Sequence, residues 1–448
     1  MKPSLPKGTR DFNPEQVNKR NYIIDTLKKV FTRFGYQPLE TPAVENLSTL
    51  TGKYGEEGDQ LLFKVLNNGD FLKSVDSAAL LALDSRKVAP TISKRGLRYD
   101  LTVPFARFVV MNQSNLAFPF RRYQIQPVWR GDRPQKGRYQ EFYQCDVDIV
   151  GSPSLINEVE LVQIFDQGYA DLGLEVTIKI NNRKVLAGLA EIAGIPDQFS
   201  AMTVAIDKLD KIGIEGVRKE MIKRDIPEAA IATIESALQK TTLDQLKILL
   251  ANSEIGGKGI EELEYVFSKA AQLELNNTLE LDITLARGLN YYTGCILEVA
   301  SNEVQIGSIG GGGRYDDLTS AFGLKDVTGV GVSFGIARIF DCLEELNRFP
   351  DSTNEGTKIL FTFFDEQGFE MGFGLTTALR KAGVIAEVFP DVVKFKKQMK
   401  YANARQIPFV AIIGDNEIEN QTVSLKNMET GEQETVPIAN LVSKLIQG

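Results

Sequence analysis

The chain of 448 residues contains no histidine. Imidazole is therefore excluded as a general base, nucleophile partner or metal ligand. Any chemistry must rest on Arg, Asp, Glu, Lys, Tyr, backbone groups or a hard metal ion. Cysteine is nearly absent as well. Cys145, Cys295 and Cys342 are scattered and odd in number, which argues against a disulfide framework and for a reducing cytoplasm. There is no Cys-x-x-Cys pair, which argues against a structural zinc site. No apolar run approaches the roughly 20 residues that a membrane span needs. The first residues, MKPSLPKGTRDF, lack the apolar core of a signal peptide. These absences lead to the expectation of a cytoplasmic protein with no membrane partner.

What is there is ordinary globular composition. The length of 448 residues is too great for one core, so two or three domains are expected. The net charge of −8 does not suggest a nucleic-acid binder. Net charge averages over the surface, however, and phosphate needs only a local basic face. Two such stretches exist. Residues 121–140 carry Arg121, Arg122, Arg130, Arg133, Lys136 and Arg138 against the single acid Asp132. Residues 394–405 carry Lys394, Lys396, Lys397, Lys400 and Arg405 and no acid. A solvated face explains either run equally well.

Periodicity divides the chain. Residues 14–34 read as an amphipathic helix, with Pro14 in its first turn and Gly35 at its end. Val176, Ile178 and Ile180 alternate as in a strand. From 183 to 272 the segments are short and helical, like a domain inserted into another. Strand-like, glycine-rich sequence resumes at 273 and runs to 345. Residues 346–357, NRFPDSTNEGT and its flanks, read as a linker. From 358 to 448, strands at 359–364, 384–389, 409–414 and 422–428 alternate with helices at 370–382, 393–405 and 437–447. That pattern indicates a compact α/β domain carrying the second basic stretch on a helix.

Five segments carry candidate chemistry. In residues 120–151, two strand-like ends flank the polar loop GDRPQKGR, as in a hairpin. Alternation lets several of Arg130, Asp132, Phe142, Gln144, Asp146 and Asp148 share one face. Such a face is poor core but suits a nucleotide and an amino acid. Guanidinium binds phosphate, a ring stacks on a base, and carboxylates take donors. In GLRYDLTVPFARFVV (96–110), Asp100 and Thr102 would face the same way in a strand and offer acceptors to an ammonium group. In LARGLNYYTG (285–294), Arg287 sits beside paired tyrosines, and its charge needs an anionic ligand or a structural carboxylate. In GSIGGGGRYDDL (307–318), four glycines permit close backbone approach, without the context of a dinucleotide-binding loop. GVGVSFGIARIF (329–340) reads as a strand running into a helix, with Arg338 near the helix start, as in a phosphate cradle.

Together and in this order, these segments resemble the histidyl-tRNA synthetase family of class II aminoacyl-tRNA synthetases. RGLNYYTG and GGGRYDDL resemble the two peptides that set that family apart from its class II relatives. RPQKGRYQEFYQ resembles its motif 2 and GVGVSFGIAR its motif 3. The resemblance runs from LPKGTRDF nearly to the end of the chain.

The resemblance implies an α+β catalytic domain (1–182 and 273–345) built on a six-stranded antiparallel sheet, the helical insertion, and a C-terminal α/β anticodon-binding domain. It implies a homodimer with motif 1, about 36–60, at the interface. ATP, Mg²⁺, L-histidine and tRNA(His) are the expected ligands, with no metal ligands assigned. By motif position, Arg130 grips the α-phosphate, and Arg138 and Arg338 hold the outer phosphates. Phe142 stacks on adenine, with Asp132 in the same nucleotide site. Asp100, Thr102 and Gln144 bind the α-ammonium. Asp148 and Tyr292 read the imidazole, and Tyr291 and Tyr315 line the pocket. Arg287 lies beside the α-phosphate and carboxylate, so it and Arg130 are the expected catalytic residues. Lys136, Lys394, Lys396, Lys397, Lys400 and Arg405 are the expected tRNA contacts.

Two positions depart from the family: Asn290, where many members have Asp, and Ala337, where an acid is usual before Arg338. The main rival is a catalytically silent histidine-sensing subunit, such as the synthetase-like partner of ATP phosphoribosyltransferase. It would lack the anticodon domain and the ATP-gripping arginines. Arg130, Arg138, Arg287 and Arg338 are all present.

Overall fold

The structure is a computed structural model that describes residues 2–51, 61–133, 139–240, 242–286, 292–316, 318–354 and 356–447. The chain forms two compact units, Met1–Phe349 and Pro350–Gly448.

The first helix, Pro14–Arg33, begins at Asn13. The Asn13 side chain accepts from the Gln16 backbone N–H, and the Gln16 side chain accepts from that of Asn13. This reciprocal cap satisfies two helix-end donors. Ile23, Ile24, Leu27, Val30 and Phe31 are buried along one stripe, and Gly35 takes φ +79° just past the end.

The strands of the first unit are β1 (Gln37–Pro38), β2 (Val44–Asn46), β3 (Lys64–Val65), β4 (Arg95–Leu97), β5 (Phe120–Trp129), β6 (Glu141–Val150), β7 (Val176–Asn182), β8 (Thr278–Leu281), β9 (Cys295–Ser301), β10 (Gly310–Arg314) and β11 (Gly329–Phe334). Eight of them form one sheet in the order β1-β5-β6-β11-β10-β9-β7-β8. The inner six, β5 to β7 in that order, pair antiparallel throughout. β1 and β8 add a parallel strand at each edge. The expected six-stranded antiparallel sheet is thus the centre of a wider mixed one. β2, β4 and β3 form a separate small ribbon.

One face of the sheet is apolar. Cys145, Val147 and Ile149 of β6, Leu297 and Val299 of β9, and Val330, Val332 and Phe334 of β11 share a core with helices Pro14–Arg33, Ile156–Asp171 and Ile336–Glu345. Phe334 is its hub, with ring centroids 4.9 Å from Phe165 and 5.7 Å from Phe31. Truncating such a ring to alanine costs about 3–5 kcal/mol. With this face filled, the residues alternating with it project to the other side, where the candidate site lies.

Residues 183–270 are helical, in segments Arg183–Ile192, Phe199–Ile206, Leu209–Ile222, Glu228–Leu238, Leu243–Leu249 and Glu254–Ala270. They bury an apolar cluster of their own that includes Leu189, Met202, Val217 and Ile231. Val185, Ile260 and Leu263, from the first and last of these helices, join the main core instead.

The second unit holds β12 (Ile359–Phe363), β13 (Ala386–Val388), β14 (Phe409–Ile413), β15 (Thr422–Asn427) and β16 (Gln433–Pro437), ordered β13-β12-β14-β15-β16. β16 is an edge strand whose residues are exposed apart from Val436, so it shows little hydrophobic alternation. The basic helix Phe395–Ala404 is pinned by the buried Gln398, which accepts from the Phe363 N–H and donates to the Phe363 carbonyl.

Candidate active site

The site starts from strand register. Across β5 and β6, Arg122 faces Asp148, Gln124 faces Asp146, Gln126 faces Gln144 and Val128 faces Phe142. On the other side of β6, Gly331 faces Asp148 and Ser333 faces Asp146. β10 continues the rows with Gly313 opposite Gly331 and Gly311 opposite Ser333. The same sheet face is therefore densely polar on β5 and β6 and nearly bare on β10 and β11. The bare glycines form a floor that a ligand can approach.

A small cavity of about 150 Å³ lies on this floor, lined by Thr102, Arg130, Gln144, Asp146, Asp148, Tyr292, Tyr315 and the glycine backbone. Asp148 is held from two sides. Its Oδ2 lies 2.9 Å from Arg122 Nη2, and its Oδ1 accepts from the Tyr315 hydroxyl at 2.5 Å. Tyr315 packs flat over Gly329, where a Cβ would meet its ring at 2.3 Å. Burial raises the Asp148 carboxyl, and Arg122 and the Tyr315 hydrogen bond oppose that rise. Asp146 is pushed up to about 7, chiefly by burial, with Arg122 and a Ser333 hydrogen bond opposing and Asp148 reinforcing. Its Oδ1 and the Gln144 Oε1 are buried and find no hydrogen-bond partner among the described residues. They are acceptors turned toward a space that would suit a cationic or N–H-rich ligand.

A larger cavity of about 510 Å³ adjoins it and shares Arg130, Gln144, Gly311 and Ser333 with it. Arg130 Nε donates to the Tyr99 carbonyl at 2.9 Å, and its guanidinium lies 5.2 Å from the Phe142 ring centroid. Arg130 lines both spaces. Asp132, Phe142, Lys211, Ser308 and Arg338 line the rest. The first turn of helix Ile336–Glu345 faces the cavity through Ala337 and Arg338. Helix-start N–H groups favour an anion there. Arg338 is anchored by donating to the Ser308 carbonyl.

The structure thus brings Thr102, Arg130, Asp132, Phe142, Gln144, Asp148, Tyr292, Tyr315 and Arg338 to these two cavities. One local expectation is corrected. Asp100 and Thr102 do not share a strand: β4 ends at Leu97, and Thr102 opens the helix Thr102–Asn112. Asp100 precedes that helix, is buried, and accepts from the Val103 N–H at 3.3 Å. Lys136, Arg138, Arg287, Asn290 and Tyr291 lie outside the described residues. In the second unit, Lys394, Lys396, Lys397, Lys400 and Arg405 are exposed. Arg405 is partly committed, at 3.3 Å from Glu387. Sequence reasoning left three contributors without a role: Arg122, Asp146 and Lys211. Alternation places Asp146 on the shared face without giving it a role, and the same alternation along β5 would have put Arg122 there too. Nothing local in the sequence marks Lys211.

The family model described as Histidyl-tRNA synthetase matches residues 8–75 and 76–339, and that described as Anticodon binding domain matches 362–448. Histidine–tRNA ligase from Bacteroides fragilis is 54% identical over 449 residues, covering 99% of both chains. The enzyme of the same name from Christiangramia forsetii is 55% identical over 453 residues, again covering 99% of both. The crystal structure of histidyl-tRNA synthetase from Nostoc sp. PCC 7120 superposes with a TM-score of 0.82 at 28% identity, covering 100% of this chain and 99% of that one. A Bacillus halodurans protein described as an ATP phosphoribosyltransferase regulatory subunit/histidyl-tRNA synthetase shares the fold, with a TM-score of 0.70 at 20% identity, over 89% of this chain and 96% of its own. Strand order, paired cavities and full-length similarity all lead to one assignment: the chain belongs to the histidyl-tRNA synthetase family.

Proposed function

We propose that the protein activates L-histidine with ATP to histidyl-adenylate and pyrophosphate, and then transfers histidine to the 3′ end of tRNA(His). The observation that carries this is the junction of the two cavities at Arg130. An amino acid in the small cavity and ATP in the large one would meet at that guanidinium. There the histidine carboxylate attacks the α-phosphorus and displaces pyrophosphate. Negative charge grows on the non-bridging oxygens, so the protein's task is positioning and charge neutralisation.

Arg130 takes the α-phosphate, joined by Arg287 by motif position. Arg338 and Arg138 hold the outer phosphates, and Phe142 stacks on adenine beside Asp132. Gln144, Thr102 and Asp100 take the α-ammonium. Asp148 and Tyr292 read the two imidazole nitrogens, with Tyr315 lining the pocket and Tyr291 assigned to histidine by motif position. A substrate lacking those nitrogens would leave buried groups unpaired, which gives strong discrimination. ATP enters as its magnesium complex. Among the described residues no group of three or more carboxylate or cysteine side chains is placed to hold a metal ion.

The second step needs tRNA. The loop 131–138 with Lys136 and the exposed lysines 394, 396, 397 and 400 are the proposed contacts, with Arg405 at the end of that helix. We further propose a homodimer through the segment about 36–60, in the cytoplasm, in keeping with three buried free cysteines. No helix among the described residues is long and apolar enough to cross a membrane. A silent histidine sensor is the weaker reading, because it has no use for Arg130 and Arg338 in a nucleotide cavity. Incubation with labelled histidine, ATP and tRNA(His) tests the proposal. Acid-precipitable label is expected, and its absence with a folded, histidine-binding protein would refute the ligase reading.

A further inference from the structure

Arg122 is completely buried, yet it lines neither cavity. Its guanidinium lies 4.2 Å from the centroid of the Phe105 ring, and its Nη2 lies 2.9 Å from Asp148 Oδ2. Among the described residues, none of its three guanidinium nitrogens makes a well-directed hydrogen bond. Its charge faces the Phe105 ring and the carboxylates of Asp148 and Asp146. A buried ion pair of this kind adds little stability over well-packed apolar residues. The place to look for its effect is the pocket beside it.

We propose that Arg122 is a specificity-determining positioning residue, which holds the Asp148 carboxylate charged and turned toward the amino-acid pocket without touching the substrate. This rests on the reading that Asp148 takes an imidazole N–H. Three neighbours fix that carboxylate. Arg122 holds Oδ2 from β5, Tyr315 donates to Oδ1 from the segment after β10, and Gly331 of β11 leaves space for Oδ1. The groups facing Asp148 are therefore Arg122, Tyr315 and its strand neighbour Asp146, with Asp100 acting on Asp146 from the turn before helix Thr102–Asn112. Among the described residues, Arg122 is the cation that acts on both Asp148 and Asp146. Asp146 is already pushed up to about 7 with Arg122 beside the pair, so loss of that cation would raise the Asp148 carboxyl as well. A protonated Asp148 would donate where it must accept. The arginine therefore keeps the pocket selective for a ring that offers an N–H, while substrate sees only Asp148.

The test is histidine-dependent pyrophosphate exchange by Arg122→Met and Arg122→Lys, measured from pH 6 to 8.5 as ratios to the unaltered enzyme. Ratios cancel the titration of histidine itself. With Arg122→Met the Asp148 carboxyl rises, so the histidine KM should be raised about tenfold or more at pH 6–7 and recover toward pH 8.5. The kcat and the ATP KM should stay within about twofold, because the adenylate chemistry is untouched. Arg122→Lys, which keeps the charge, should follow the unaltered pH profile even if its KM is raised about threefold. A histidine KM that is unchanged in Arg122→Met, or raised equally at every pH together with the ATP KM, overturns the proposal. If Arg122→Met does not fold, Arg122→Lys decides it: a pH-dependent loss despite the retained charge overturns it.

Asp148→Asn separates the two layers. If Asp148→Asn keeps the histidine KM, the imidazole reading fails. If Asp148→Asn loses histidine activation while Arg122→Met is unaffected, only the role of Arg122 fails. Because the chain has no histidine, NMR of ¹⁵N-labelled histidine bound to each variant shows the substrate imidazole without background. The bound ring should change its protonation or tautomer in Arg122→Met and not in Arg122→Lys.

Discussion

Gly331 and Asp148 face each other across the β6–β11 pairing, and a Cβ at 331 would lie 2.0 Å from Asp148 Oδ1. The space for that carboxylate exists because β11 has no side chain there. Gly331→Ala should push the carboxylate off Tyr315 and out of line with the pocket. A displacement of that size costs on the order of 100-fold in kcat/KM for histidine. The ATP KM should change far less. Steady-state exchange kinetics check this, and an unaltered histidine kcat/KM would mean that Asp148 does not read the substrate.

Asp146 gives a pH prediction. Its folded pKa of about 7 lies above the ordinary 3.8, so the folded state favours the protonated form. The stability it contributes is fully present below the unfolded value and is lost as pH rises to about 7. Above that the buried carboxylate costs on the order of a few kcal/mol. Asp146→Asn does not titrate. Its Tm should exceed that of the unaltered apo-protein at pH 8, and the gap should shrink toward pH 5. A gap that is constant with pH would show that Asp146 is not held protonated.

Ala337 bounds two spaces: the large cavity and a smaller one of about 170 Å³ that also touches Arg10 and Arg20. Those two guanidiniums lie over rings, 4.0 Å from the Tyr139 centroid and 4.6 Å from that of Tyr143. An acid at 337 would have arginines on hand to fix it and would orient Arg338 next to it. Ala337→Glu should lower the ATP KM severalfold. An unchanged ATP KM would show that Arg338 is already held firmly by Ser308.

Lys396 and Lys397 are exposed on the helix Phe395–Ala404 of the second unit. Lys396→Glu with Lys397→Glu should raise the tRNA KM about tenfold and weaken its salt dependence. Histidine-dependent pyrophosphate exchange should not change. Equal loss of both activities would indicate damage to folding rather than to a tRNA contact.

Much of this was legible in the sequence, for physical reasons that differ by element. Strict alternation from Phe142 to Asp148 put one face of β6 in the core and the other in the site, and β6 follows it. Pro14 in the first turn and the Gly35 stop bracketed the first helix. Asp100 and Thr102 misled because a two-residue spacing was read as a strand. Pro104 suits the first turn of a helix, and Phe105 and Val109 then fall four apart on one face. Arg122 looked like part of a basic run. Its pairing with Asp148 depends on β5–β6 register, and its burial on the Phe105 helix packing over it. Lys211 reaches the larger cavity from the helical segment, which no local pattern encodes. β16 was missed because an exposed edge strand carries little hydrophobic alternation.

Two adjoining cavities that meet at Arg130 are proposed to activate histidine at the expense of ATP. The most direct test of this proposal is the exchange of labelled pyrophosphate into ATP, with each of the twenty amino acids supplied in turn. Exchange with histidine alone is the expected result. Exchange with a different amino acid, or none while histidine still binds, would contradict it.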